Sequence, residues 1–375
     1  MPRSAESTSI GLTRREALGL LGAAGGAIAF DGTLPGMRLV AQTAPRAATV
    51  TFPRGAIIRT LFKDVPPDTI DGPILFHEHL SIELPPNLNP RPANAPPPPP
   101  PQPPPTANLD LIVDEVKAAR AGGVRCIVDG GHADMKRSLD NLKAIAQRSD
   151  VLVVASGGYY MGRVYPPEIA TASEDQIADG LVREAAANRY GAFGEIGENA
   201  DAAMSDLEQK VFRAVGRAHR RTSLPIFTHN AYGTGPNVPK DAGLHQLDVL
   251  ESVGVRPERV AIGHTCCLDD PNADVIKAIA KRGAFVGFDR VTAGRVSDEG
   301  KIRMLLAFLE AGYAGHLLLS SDSTGGRTLE APAYNRTLSG FVPKLQAAGV
   351  SDAMIRGVLV DNSRRFLSFV PPKAT

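Results

Sequence analysis

Eight short apolar runs punctuate the chain, each followed by a segment with helical patterning. They are Ile74-Leu75-Phe76, Val124 to Val128, Val151 to Val154, Ala192-Phe193-Gly194, Ile226-Phe227-Thr228, Val260-Ala261-Ile262, Ala284 to Phe288 and Leu317-Leu318-Leu319. Runs this short and this apolar suit strands buried on both faces of a parallel sheet. Helical patterns between them include Leu109 to Ala121, Glu174 to Ala187, Leu207 to Arg220 and Asp274 to Lys281. Ser173 with Gln176 has the spacing of a capping box, which pairs two otherwise orphaned amides at a helix start. The last five runs end at Glu195, His229, His264, Asp289 and Asp322, at separations of 34, 35, 25 and 33 residues. Each interval accommodates a strand, a helix and two loops. Eight such units predict an α/β chain folded as one (β/α)8 TIM barrel, spanning about residues 54–370. A doubly wound open sheet is the alternative, but no Gly-rich phosphate turn follows the first run.

Two segments stand outside that pattern. Thr13-Arg14-Arg15-Glu16-Ala17-Leu18 places a twin arginine directly before an uncharged, Gly-rich stretch, Ala17 to Phe30. That stretch is too short to span a bilayer, and residues 1–45 read as a Tat-type export signal. The expected location is therefore periplasmic or secreted. Residues 81–106 hold 13 of the 31 prolines, with an unbroken run from Pro96 to Pro101. Proline neither supplies ladder donors nor continues a helix, so a stiff, exposed insertion is expected after the first strand.

Composition narrows the function classes. The 375 residues carry a net charge of +1, with 22% charged and 43% hydrophobic residues. This balance argues against a nucleic-acid binder and against a disordered acidic protein. No later segment is apolar enough to span a membrane. Three cysteines, two of them adjacent (Cys266, Cys267), do not make a disulfide framework. The pair reads as small pocket-wall residues.

The chemistry lies in the polar residues at the ends of the runs. His77 and His79 bracket Glu78 at the end of the first run. Glu195, His229, His264 and Asp322 end the fourth, fifth, sixth and eighth. In a barrel, those carboxyl ends converge on the face where active sites are built. Residues two apart on a strand share a side, so His77 and His79 point together while Glu78 points away and is structural. Buried imidazoles at close quarters are costly unless a metal holds them. Six ligands exceed what one catalytic zinc needs and fit two divalent ions sharing a bridge. On this reading His77, His79 and Asp322 hold the more buried ion. His229 and His264 hold the more exposed one, and Glu195 bridges. Two close cations lower the pKa of a shared water, giving a bridging hydroxide near neutral pH. Asp322 can take its proton. The N/O donor set accepts zinc first, with manganese, cobalt or iron as alternatives.

The segments Phe76-His77-Glu78-His79-Leu80, Gly194-Glu195-Ile196-Gly197, Thr228-His229, Ile262-Gly263-His264 and Ser320-Ser321-Asp322 resemble the metal motifs of the phosphotriesterase family, within the amidohydrolase superfamily. Asn362 with Arg364-Arg365-Phe366-Leu367 resembles its C-terminal segment, and the similarity runs from about residue 54 to 370. Many members bridge their metals with a carboxylated lysine; here Glu195 stands in its place, as in the family's glutamate-bridged members. Both groups carry one negative charge. The resemblance implies a binuclear metallohydrolase that cleaves a lactone or carboxylic ester, with phosphotriester hydrolysis as the alternative. Its substrate would be a small ester, lactone or organophosphate, and a homodimer is the family's common assembly. Arg290 follows the seventh strand as in members described as lactonases, and Tyr160 falls where the family places an aromatic beside the metals. Both are expected to contact substrate. An exported metal-binding protein without turnover is the reading from another class. Among the other histidines, His132 is expected to be a hydrogen-bonded loop residue, His219 a surface helix residue and His316 no ligand.

Overall fold

The computed structural model describes residues 50–84, 102–199, 203–230, 232, 239–327 and 331–372. All of them belong to one compact unit, Ala44–Thr375. The expected export segment 1–45 lies outside the described residues, as do residues 85–101 of the proline-rich insertion.

A short antiparallel pair, β1 (Ile58–Arg59) and β2 (Asp64–Val65), precedes the main sheet. The sheet comprises β3 (Ile74–Glu78), β4 (Cys126–Asp129), β5 (Leu152–Gly157), β6 (Ala192–Gly197), β7 (Ile226–His229), β8 (Val260–Ile262), β9 (Phe285–Phe288) and β10 (Leu317–Leu319). These strands pair in chain order, every pair parallel. Seven helices cover the crossovers: α1 (Leu109–Ala121), α2 (Leu139–Ser149), α3 (Glu174–Asn188), α4 (Asp206–Thr222), α5 (Ala242–Glu251), α6 (Asp274–Lys281) and α7 (Asp298–Glu310). Short helices from Val342 to Leu367 complete the outer layer after β10. The result is a nearly closed eight-stranded barrel. β3 and β10 carry no ladder between them, but the chain beyond each is laced across the gap. His77 N donates to Ser320 Oγ (3.1 Å), Asp322 N to His77 O (3.2 Å) and His79 N to Ser323 O (2.9 Å).

Five of these seven helices start at a side-chain cap: Asn108, Ser138, Ser173, Ser205 and Ser297. Ser173 and Gln176 form the expected capping box at α3, and Ser205 with Glu208 forms a second at α4. Alternate strand residues then divide between two cores, as a barrel requires. Phe76, Val128, Val154, Ala192, Phe227, Ala261 and Leu318 fill the interior with Phe366, whose ring sits edge-on to Phe76 at 6.3 Å. Leu75, Ile127, Val153, Phe193 and Ile262 face the helices. Burying a side chain of this size contributes about 1.5–3 kcal/mol, so the two layers supply most of the drive to fold.

The roots of the proline-rich insertion differ from expectation. Ser81, Ile82 and Thr106 are buried, and Thr106 Oγ1 donates to Ile82 O (2.6 Å). The buried part of the segment therefore extends to Ile82 on one side and includes Thr106 on the other. A polar clasp satisfies the backbone where the chain leaves and returns.

Candidate metal centre

The expected residues come together at the carboxyl ends of the strands. Glu195 lies at the middle of the cluster. Its Oε2 is 3.3 Å from His77 Nε2, 3.1 Å from His229 Nδ1 and 3.3 Å from His264 Nε2. Its Oε1 is 3.1 Å from His79 Nε2. Asp322 Oδ1 lies 3.1 Å from His79 Nε2 and 3.8 Å from His77 Nε2. His77, His79, Glu195 and Asp322 form one group with donor atoms all within 4.8 Å; Glu195, His229 and His264 form another. The two share Glu195. Tetrahedral ligation with bonds of about 2.0 Å places ligand atoms roughly 3.3 Å apart, which is the spacing seen.

Two strands need an irregularity to aim these groups. Ile74 and Phe76 face the barrel interior, so strict alternation would turn His77 outward. The register shifts between Leu75 and Glu78, and His77 enters the mouth. A similar shift lies between Phe193 and Ile196, flanking Glu195. His264 (φ 54°) and Asp322 (φ 51°) hold left-handed backbone, which costs a non-glycine residue on the order of 1–3 kcal/mol. Gly263 permits the approach beside His264: a Cβ there would meet Thr228 O at 2.0 Å.

A layer of support that sequence reading left without roles fixes the ligand orientations. Asp289 accepts from His77 Nδ1 (2.8 Å), from His264 Nδ1 (3.0 Å) and from His264 N (2.7 Å). This turns both Nε2 lone pairs toward Glu195. Asp289 ends its run like the others, and that position was the available signal for it. Glu78 points away from the histidines, as expected. It is fully buried and accepts from Ser320 Oγ, Ser321 N, Ser321 Oγ and Ser323 N at 2.7–2.9 Å. Burial raises its carboxyl to about 7 against these hydrogen bonds. Glu78 thus ties the 320–323 turn in place and presents Asp322.

The electrostatics favour added positive charge. Burial opposes charge on every imidazole here. Even so, Asp322 and Glu195 hold His79 up to about 9, and Asp289 with Glu195 holds His264 up to about 10. Glu195 and Asp289 keep His77 well above its ordinary value. Only His229 is lowered, by burial and the neighbouring His264. With neutral imidazoles, Glu195, Asp289 and Asp322 bring three negative charges into a buried site, which is costly without a cation. His77 Nε2 is buried without a hydrogen-bond partner among the described residues. These residues fit divalent metal.

The remaining candidates differ in detail from expectation. Tyr160 Oη lies 3.3 Å from His229 Nδ1, and burial with the nearby carboxylates raises its hydroxyl well above the usual value, so it stays a donor. Arg290 does not project freely: its Nε is 3.4 Å from Asp322 Oδ2. All four histidines are buried, at 3% exposure or less, and Asp322 is the most open member, at 15% side-chain exposure. His132 is the hydrogen-bonded loop residue expected, with Nδ1 3.1 Å from Asp134, whose other oxygen accepts from Tyr160 N. His219 is not at the surface: it is buried, and its Nδ1 donates to Leu224 O at 2.6 Å. Cys266 and Cys267 are buried and unbridged, and Arg290 N donates to Cys266 Sγ (3.3 Å).

Comparison with known proteins agrees with this geometry. Residues 64–367 match the model of the phosphotriesterase family. The phosphotriesterase homology protein of Escherichia coli is 32% identical over 79% of this chain and 97% of its own. An aryldialkylphosphatase of Saccharolobus solfataricus is 29% identical, covering 68% and 84%. An N-acetyltaurine hydrolase of Xenopus tropicalis is 23% identical, covering 83% and 98%. A crystal structure of the E. coli homology protein, complexed with phosphate in its active site, superposes with a TM-score of 0.67 at 28% identity, covering 80% of this chain and 99% of that one. By sequence and fold together, this chain belongs to the phosphotriesterase family.

Proposed function

We propose that this chain is a binuclear metal-dependent hydrolase that cleaves a lactone or carboxylic ester. The observation that carries the reading is the pair of ligand groups sharing Glu195, with Asp322 open to solvent beside them. His77, His79, Glu195 and Asp322 would hold one ion, and Glu195, His229 and His264 the other. Bound there, the pair would activate water and polarise the oxygen of the bond to be cleaved. Asp322 accepts the proton of the attacking water and passes it outward at Oδ2, beside Arg290. Tyr160 keeps its hydroxyl proton and offers it to a carbonyl or ring oxygen near His229. Arg290, 24% exposed, holds a polar group of the substrate at the mouth.

Phosphotriester hydrolysis is the second reading, favoured by the phosphate in the active site of the E. coli relative and the name of the Saccharolobus one. The N-acetyltaurine hydrolases add an amide to the bonds worth testing. The deciding experiment compares kcat/KM of zinc- and manganese-reconstituted protein on an aliphatic lactone, an aryl phosphotriester and an N-acyl amine. A tenfold lactone preference, about 1.4 kcal/mol of transition-state discrimination, supports the reading; a phosphotriester preference of that size overturns it. Bound metals with no turnover on any of the three would favour a metal-binding protein without catalysis. We further propose export through the twin arginine: replacing Arg14 and Arg15 with Lys should retain the precursor in the cytoplasm. Unchanged export would remove that assignment.

A further inference from the structure

At the end of the barrel opposite the candidate metal centre lies a cavity of about 430 Å³. It opens where the chain enters β7 and β8 and where the C-terminal segment passes beneath. Four arginines line it: Arg220, Arg256, Arg259 and Arg365. No carboxylate is among its lining residues. Elsewhere the described arginines usually meet an acid, as Arg213 and Arg217 meet Glu174 and Arg282 meets Glu251. These four form no ion pair among the described residues. Arg220 donates to Val253 O (3.4 Å) and Arg259 to Ser223 O (3.4 Å), while Arg365 donates to Gly315 O and to Asn362 Oδ1 (3.2 Å). Arg256 makes no side-chain hydrogen bond among them.

The charge is felt by its neighbours. Burial and the Arg256 charge lower Arg259 to about 10. Burial, aided by the charges of Arg259, Arg256 and Arg220, lowers His219 to about 4. Asp361, which pairs with Arg364 at 3.5 Å, acts on Arg365 but is not among the lining residues. Phe52, Phe369 and Val370 give the wall an apolar side, and Ser223, Ser368 and His219 are polar members of it. Small-molecule pockets of about 300–1,000 Å³ combine apolar lining with a few polar groups that fix the ligand, and this cavity falls in that range with arginine as its charged component. Guanidinium forks match planar carboxylates and phosphate oxygens bidentately.

We propose that this cavity binds a small organic oxyanion, with a phosphate or carboxylate head among the arginines and an apolar body against Phe369. The site is separate from the metal centre, so it stands or falls independently of the proposed hydrolysis.

The test is calorimetric titration of the metal-loaded full chain with phenyl phosphate, benzoate and inorganic phosphate, repeated on Arg256→Ser and on Arg256→Ser/Arg259→Gln. Binding of phenyl phosphate at the metal centre would be the same in all three proteins, so the difference reads the cavity. The expected result is at least tenfold weaker binding of phenyl phosphate or benzoate in the double variant and at least threefold in Arg256→Ser. Whichever head group shows the larger loss identifies the anion. Inorganic phosphate should bind more weakly than phenyl phosphate, because it leaves the Phe369 wall uncovered. Arg256 is exposed and makes no side-chain hydrogen bond or ion pair among the described residues, so Arg256→Ser should keep its melting temperature and turnover, which guards against a folding artefact in the double variant. Equal affinities in wild type and Arg256→Ser would overturn the proposal. So would one salt-screened affinity shared by chloride, phosphate and phenyl phosphate.

Discussion

Arg290 Nε lies 3.4 Å from Asp322 Oδ2, while Oδ1 of the same carboxylate lies 3.1 Å from His79 Nε2. One aspartate thus joins the histidine cluster to the cation at the mouth. If Asp322 moves the proton, Asp322→Asn should lower kcat by about 10²–10⁴. Metal content should stay close to wild type, since the amide oxygen still reaches the cluster. Arg290→Gln should raise KM more than it lowers kcat. Turnover retained in Asp322→Asn would end the proton-transfer assignment.

Glu195 contacts all four histidines, and Asp289 orients two of them. Glu195→Ala should leave the protein with fewer than two metals per chain by elemental analysis. Asp289→Asn keeps the size but loses the carboxylate that turns His77 and His264, and should weaken metal affinity by about 10–100-fold in a chelator titration. Two tightly held metals in Glu195→Ala would refute the bridge.

Lys301 is buried on α7, and its ammonium donates to Arg290 O (2.9 Å), Val291 O (3.2 Å) and Ala293 O. It clamps the turn that carries Asp289 and Arg290. Lys301→Met should cost about 1–3 kcal/mol by stranding buried carbonyls. It should also lower kcat/KM with metal content intact, because Arg290 loses its anchor. A variant matching wild type in both melting temperature and kcat/KM would show the clamp to be idle.

His219 is held neutral, at about 4, by burial first and the surrounding arginines after it. Between pH 6.5 and 4 the unfolded chain takes up a proton here that the folded chain refuses. Stability should therefore fall as pH drops through that window, by up to about 3 kcal/mol from this group. Above pH 6.5 the imidazole is neutral in both states, and the group makes no pH-dependent contribution. His219→Gln should unfold in urea with a shallower pH dependence between 7 and 4.5. An unchanged slope would assign the acid sensitivity to other groups.

The strand ends were legible because their signal is local. A short apolar run followed by His, Glu or Asp marks a buried strand and its carboxyl end within a handful of residues, and the intervals imply the crossovers. Helices Leu109–Ala121 and Asp274–Lys281 keep the expected bounds. The placement of His219 was not legible. Its helix reads as amphipathic, but the histidine faces the loop at Leu224, whose carbonyl position is set by the turn after the helix.

By itself, the sequence determined the order of elements and which side chains stand at the carboxyl rim of the barrel, since both follow from periodicity and spacing. Only the tertiary structure decided how those side chains are aimed. His77 enters the mouth through a register shift against β4, a property of two strands rather than one. Its tautomer is set by Asp289, 212 residues away, and Asp322 is presented by Glu78 through Ser321, 243 residues away. Hydrogen bonds of that separation leave no periodic trace in a single chain. They form only when barrel closure brings β3 beside β10.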